Sequence, residues 1–289
     1  MKEKNLHPNN IHNKGYNFDE LIASFPKIEP HIIINKRGEK SIDYSKHASV
    51  KILNQALLAH YYNIEYWKFP ESNLCPAIPG RADYIHHIAD LTKDFKNEVK
   101  ALDIGTGANC IYPILGKQVY NWSFIATDID QKSIFTAKKI VSKNKLNDNI
   151  SFRIQPNKLN ILKGIIKKDD YFDLSICNPP FYNGEKEAIS ENERKNKNLK
   201  IDANNRNFQG TNNELIYPGG EKAFINNYIY ESTFFKDNFN WFTTLIAKKE
   251  NLNSALNILN KKTEKTEVKV IDMHHGNKKT RILCWKYLK

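Results

Sequence analysis

Hydrophobic residues follow one period in the first third of this chain and two alternating periods in the rest. From Lys46 to Tyr62, Val50, Leu53, Leu57, Leu58 and Tyr61 recur three and four residues apart, which predicts an amphipathic helix. Upstream, residues 1–45 carry Pro8, Gly15, Pro26 and Pro30 and read as an irregular arm broken by the apolar run His31-Ile-Ile-Ile34. Cys75-Pro-Ala-Ile-Pro-Gly80 predicts a rigid turn. It leads into a helix from about Arg81 to Phe95, with Tyr84, Ile85, Ile88 and Leu91 on one face.

Beyond it, short apolar runs at Val99–Ile104, Trp122–Thr127, Ile150–Ile154 and Phe172–Cys177 predict strands. Helical periodicity fills the intervals at about 109–118, 130–145 and 158–166. This alternation predicts an α/β fold, with parallel strands and crossover helices on both faces of the sheet. Residues 183–212 are polar and rich in Asn, Lys and Glu, the composition of a mobile functional loop. A helix at Gly220–Phe235, a strand at Trp241–Ala247, a helix at 251–261 and strands at 266–272 and 280–287 complete the pattern. The expectation is a Rossmann-like domain over 96–289, mostly parallel with an antiparallel C-terminal edge pair. Residues 1–95 form an N-terminal extension to it, with an arm and helices that contact nucleic acid.

Composition narrows the partner. Over 289 residues, 44 Lys+Arg face 32 Asp+Glu, a net charge of +12, which favours a polyanion. From Gln131 to Ile166 seven lysines and Arg153 stand against one acid, Asp148. Charge alone does not separate RNA from DNA or from an acidic membrane surface. Hydrophobic residues at 40% rule out wholesale disorder, and no apolar run reaches the ~18 residues of a membrane span. Met1 to His12 lacks the apolar core of a secretory signal. Cys75, Cys110, Cys177 and Cys284 show no C-x-x-C spacing. That speaks against a zinc ribbon or a disulfide scaffold and for a reducing, cytoplasmic setting.

Two stretches carry candidate chemistry. Ala101-Leu-Asp-Ile-Gly-Thr-Gly-Ala108 joins a predicted strand to a predicted helix. Gly105 and Gly107 let backbone turn tightly and a ligand approach without a Cβ in the way. Cys110 breaks the G-x-G-x-x-G dinucleotide fingerprint, and no G-K-[ST] follows, so Asp103 is placed to meet a cation rather than a pyrophosphate. Some twenty residues on, Asp128 ends the next strand, where an acid accepts from ribose hydroxyls. A ribose with a positive centre describes S-adenosylmethionine.

The second stretch is Asn178-Pro179-Pro180-Phe181-Tyr182 at the end of a strand. The prolines donate no backbone hydrogen bond, so the ladder ends and Asn178 stands at the carboxyl edge of the sheet. The Asn178 amide oxygen and the Pro179 carbonyl are placed to accept from one exocyclic NH2, holding its lone pair toward an incoming methyl. Phe181 and Tyr182 offer stacking faces for an unstacked base. Guanine N2, DNA adenine and a protein glutamine amide suit the same turn, and so does an RNA-binding assembly factor that has lost activity.

With Asn178-Pro-Pro-Phe181, the Leu102–Gly107 loop resembles the class I S-adenosylmethionine-dependent methyltransferases that act on exocyclic or amide nitrogen. More narrowly, the chain resembles RlmF, the bacterial 23S ribosomal RNA adenine-N6 methyltransferase family, which is related to a eukaryotic enzyme that methylates a spliceosomal RNA. That match rests on Leu6-His-Pro8, Cys75–His87, Gly107–Pro113, Glu214–Glu221 and Trp241–Thr244. The resemblance implies methyl transfer to N6 of one adenine in 23S ribosomal RNA, free or in a large-subunit assembly particle. Arg81 would reach the cofactor's carboxylate, Gly105 would lie under it, Asp128 would hold its ribose and Gln155 would meet its adenine. Asn178 would contact both amine and cofactor. No metal is implied, and a monomer is the default. His86 and His87 read as packed or surface histidines, because this chemistry needs no strong base.

Overall fold

The structure, a computed structural model, describes residues 5–190, 210–262, 265–275 and 278–288. Residues 191–209 of the expected loop lie outside the described residues. The arm is more ordered than its prolines suggest. A 3-10 turn at Ile11–Lys14, helix α1 (Phe18–Ser24), a second 3-10 turn at Pro26–His31 and a hairpin of β1 (Ile32–Ile34) and β2 (Lys40–Ile42) fill it. Asn17 starts α1 by accepting from the Asp19 and Glu20 amides, a side-chain cap the sequence carries openly.

Helix α2 (His47–Tyr62) follows as expected and ends at Asn63 in the left-handed region. Helix α3 spans Ile78–Ala89, not 81–95. Pro79 lies in the first turn, where a missing amide costs nothing, so the proline opens this helix instead of preceding it.

Seven strands form one sheet in the order β5-β4-β3-β6-β7-β9-β8: β3 (Lys100–Ile104), β4 (Ser123–Asp128), β5 (Ile150–Ile154), β6 (Phe172–Cys177), β7 (Phe239–Ile246), β8 (Thr266–His275) and β9 (Lys278–Tyr287). The β3–β4, β3–β6, β4–β5 and β6–β7 pairs are parallel, while β9 runs antiparallel to β7 and β8. This is the expected architecture. Helices α4 (Ile111–Tyr120) and α5 (Gln131–Lys143) connect the first three of these strands. A helix over residues 185–190 (α6), a one-turn helix α7 (Asn212–Leu215), α8 (Gly220–Ser232) and α9 (Lys249–Lys262) serve the second half.

Residues 158–166 form turns rather than a helix. Gly164 takes a φ of +84°, and the buried Glu231 carboxylate accepts from the Ile161, Leu162 and Lys163 amides, which leaves those donors no helical use.

Each face of the sheet carries its own core. Leu21, Ile28, Leu57 and Ile85 pack with Ala101, Leu115, Ile140 and Ile282, so the N-terminal segment shares a core with the sheet. On the other face Leu102, Ile104, Ile225, Phe242 and Leu259 come together. Within α4, Gly116 lets the helix settle on Phe124, whose Cζ lies 2.5 Å from where a glycine Cβ would stand. No helix among the described residues is long and apolar enough to cross a membrane.

Candidate active site

The strand order reverses between β3 and β6, and ligands bind at such a switch point outside the carboxyl ends of the strands. There a cleft of about 400 Å³ opens, walled by Arg81, Gly105, Gly107, Asp128, Gln155, Asn178, Pro180 and Glu214 among others. Backbone pairing brings its halves together: Asp103 lies opposite Ile176 and Ile104 opposite Cys177, the residue before Asn178.

The glycine loop is held from below. Gly105 and Thr106 both donate their amides to the Thr127 carbonyl, at 2.9 and 2.8 Å. Gly107 donates to Asp128 Oδ2 at 2.8 Å, and Asp130 donates to Oδ1 at 2.9 Å. Gly105 (φ +74°) and Gly107 (φ +64°) occupy the left-handed region, and a Cβ at Gly105 would project into open space. Burial pushes the Asp128 carboxyl up to about 6, with the Asp130 and Glu214 charges adding to the effect.

Asp103 differs from its expected placement: it lies behind the loop, 1% exposed, and does not line the cleft. Burial pushes its carboxyl up to about 7, and the Asp128 charge works in the same direction. Its two oxygens and the Thr106 hydroxyl are buried without a hydrogen-bond partner of normal geometry among the described residues. Buried polar atoms left so are costly, and functional sites are where such costs gather.

From α3, Arg81 donates from Nη1 to the Tyr112 hydroxyl at 2.8 Å, its guanidinium 5.5 Å from the Tyr112 ring centre. Gln155 lines the cleft, but its amide is spent on its own loop. Nε2 donates to the Lys163 carbonyl at 3.0 Å, and Oε1 accepts from the Asn157 amide at 3.1 Å.

On the β6 side, Asn178 and Pro180 form the wall and Pro179 is buried beneath them. The half-buried Asn178 amide hydrogen-bonds to no described residue. Phe181 and Tyr182 stand beyond the wall. Tyr182 is 8% exposed and bridges to Ile216 through its backbone, so it presents no open stacking face, while Phe181 is half-buried. His86 and His87 lie outside the cleft, as packing residues do. His86 Nδ1 meets the Tyr120 hydroxyl at 2.7 Å, and burial pushes its imidazole down to about 4.

The cleft also contains residues that sequence reasoning gave no role, chiefly Glu214, Leu74 and Tyr217. Glu214 and Tyr217 stand in the Glu214–Glu221 stretch that carries the resemblance, which assigns them no role, and the Thr211-x-x-Glu214 capping box speaks of a helix start rather than of a ligand.

These parts suit S-adenosylmethionine. Gly105 leaves a cradle a Cβ would fill, Asp128 offers acceptors for hydroxyls, and the buried Asp103 carboxyl, where ionised, sets negative potential behind the loop.

Comparison with known proteins agrees. A family model described as RNA methyltransferase matches residues 1–289. Ribosomal RNA large subunit methyltransferase F of Flavobacterium psychrophilum is 46% identical over 298 residues, covering 99% of this chain and 95% of that protein. The enzyme of the same name from Photobacterium profundum is 44% identical over 316 residues, with 100% and 93% covered. Among solved structures, the human METTL16 catalytic domain in complex with MAT2A 3′UTR hairpin 1 superposes with a TM-score of 0.85 at 29% identity, covering 98% of this chain and 96% of that one. The N-terminal domain of human METTL16 in complex with SAH gives 0.77 at 28% identity, with 98% and 99% covered. Full-length identity of this order carries the fold, and the chain belongs to the ribosomal RNA large subunit methyltransferase F family of RNA methyltransferases.

Proposed function

We propose that this protein transfers a methyl group from S-adenosylmethionine to the exocyclic N6 of one adenine in 23S ribosomal RNA. The observation that carries this reading is Asn178: an amide without a partner among the described residues, held by two prolines at the wall of a cleft whose other wall is the glycine loop. Relatives named for the large ribosomal subunit support the RNA class, and the SAH-bound neighbour supports the donor.

S-adenosylmethionine, when bound, supplies a methyl on a sulfonium, activated toward in-line attack. The chain's own residues position the reactants, the largest lever in joining two bound molecules. Asn178 Oδ1 and the Pro179 carbonyl accept from the N6 amine, which turns its lone pair toward the donor. With the donor bound, methyl transfer to N6 would leave S-adenosylhomocysteine, and the excess N6 proton would pass to water. Asp128 would hold ribose hydroxyls, Arg81 would meet the carboxylate end, and Asp103, once ionised opposite the bound cation, would act as a negative charge behind the glycine loop. Phe181 supplies the stacking face for an adenine turned out of its strand.

For RNA contact the chain offers Lys132, Lys138, Lys139, Lys143 and Lys145, all exposed on and just after α5, together with residues 1–95. Arg153 is already engaged by Asp170. Residues 96–289 form the methyltransferase unit in this reading, acting as a monomer in the cytoplasm.

The test is incubation with labelled S-adenosylmethionine and protein-free 23S RNA from cells lacking the gene, followed by nucleoside analysis. Label is expected in N6-methyladenosine and is expected to fall at least ~100-fold with Asn178→Ala, the scale of losing one oriented polar group. Label in another nucleoside would displace the adenine assignment.

A further inference from the structure

Glu214 stands on α7, where the described chain resumes after the polar segment. Its Oε2 accepts from the Thr211 amide at 2.8 Å, the Thr211 hydroxyl at 3.1 Å and the Leu74 amide at 3.2 Å. Its Oε1 accepts from no described residue and lies on the cleft wall, 3.5 Å from where a Cβ on Gly107 would stand. The next residue faces the other way: the Leu215 carbonyl accepts from the Phe181 and Tyr182 amides at 3.1 and 3.0 Å. Adjacent residues of one helical turn therefore reach Leu74 and the Gly107 side of the cleft on one hand and bond the catalytic turn on the other.

The capping box accounts for Oε2 and leaves Oε1 unexplained. Glutamine serves as well as glutamate at this helix position, so capping does not require the charge. Its charge also adds to burial in holding the neighbouring Asp128 carboxyl high. A second carboxylate beside a buried acid makes sense when both face one ligand rich in donors. Glu214 lies on the Gly107 and Asp128 side of the cleft, the side assigned to the ribose above.

We propose that Glu214 is a ligand-facing residue whose Oε1 accepts a ribose hydroxyl alongside Asp128, while its Oε2 and the Leu215 carbonyl couple that occupancy to the seating of the catalytic turn. This rests on the cofactor reading above and adds to it a residue and a coupling.

Calorimetry with S-adenosylhomocysteine and with 5′-methylthioadenosine, which keeps the ribose and lacks the amino-acid end, tests it on the full chain. Glu214→Gln should weaken both ligands roughly ten- to a hundredfold, the scale of one hydrogen bond to a charged group, without lowering the melting temperature of the free protein. Arg81→Met should weaken S-adenosylhomocysteine alone. In hydrogen exchange, S-adenosylhomocysteine should slow the Phe181 and Tyr182 amides of the unaltered protein, and should lose that effect in Glu214→Gln at matched occupancy. Unchanged affinities in Glu214→Gln would reduce the residue to its cap and overturn the proposal. A loss confined to S-adenosylhomocysteine would overturn the ribose assignment. Failure of the unaltered protein to bind either ligand overturns the cofactor reading itself, and is recognised before any substitution is made.

Discussion

Replacing Asp103 with asparagine is expected to stabilise the free protein and to weaken its hold on a cationic ligand. The carboxyl moves from an ordinary value of 3.8 to about 7 on folding, chiefly through burial. At ~1.4 kcal/mol per unit, the ionised group costs the folded state roughly 4 kcal/mol at pH 8 as an upper bound. An asparagine amide in the same position still lacks partners and gives back about 1–3 kcal/mol. The net gain is therefore about 1–3 kcal/mol, or roughly 2–5 °C in melting temperature for a protein of this size.

The sign with pH follows from the raised value. Stability associated with this group is fully present below its unfolded value of 3.8 and is lost as pH climbs through about 7. Asp128, raised to about 6, contributes a smaller slope of the same sign. Denaturant melts of both proteins from pH 5 to pH 8 should show stability falling in the unaltered chain and a flatter profile in Asp103→Asn. Calorimetry at pH 8 should show the variant binding S-adenosylmethionine about tenfold more weakly, because the negative potential behind the loop is gone. A variant that melts no higher at pH 8, with an unchanged slope, would refute the argument.

Gly105→Ala places a side chain in open space but at φ +74°, so the free protein should lose only about 1 kcal/mol while ligand affinity drops at least tenfold, read by melts and calorimetry. Gly116→Ala drives a methyl to within 2.5 Å of Phe124 Cζ and should cost about 1–3 kcal/mol in denaturant melts, with S-adenosylhomocysteine affinity unchanged at temperatures where the variant is folded.

What the sequence discloses about the site follows strand ends. That Gly105, Gly107, Asp128 and Asn178 line one cleft is legible because an α/β sheet puts the residues after its parallel strands on one edge, whatever lies between them. The Asp103 charge was legible, but its depth was not, since alternation along β3 gives the face of a residue and not its distance from the ligand. Residues 158–166 were misread as helix because Glu231, which takes their amides, is some seventy positions away in the chain. Glu214 stands in a stretch that carries the resemblance, but its place on the cleft is not legible for the same reason, as its contact with Leu74 spans 140 positions. Tyr182 looked like an open ring until its backbone bridge to Ile216 fixed it indoors. The arm was underestimated because prolines that break a long helix are compatible with 3-10 turns, as at Pro26.

The position of β3 between β4 and β6 also sets the order in which the molecule can assemble. β3, β4 and β5 are near neighbours along the chain and can pair as soon as they are synthesised. The β6 partner arrives only after the connection from Ile104 to Phe172 has been closed, and closing longer loops slows folding. The half-site with the glycines and Asp128 is thus able to form first, and the edge of β3 that will receive β6 stays uncovered until then. That edge is where a partly folded chain is most exposed to pairing with the wrong strand. Refolding yield should therefore depend on protein concentration even though the finished sheet has this strand in its interior.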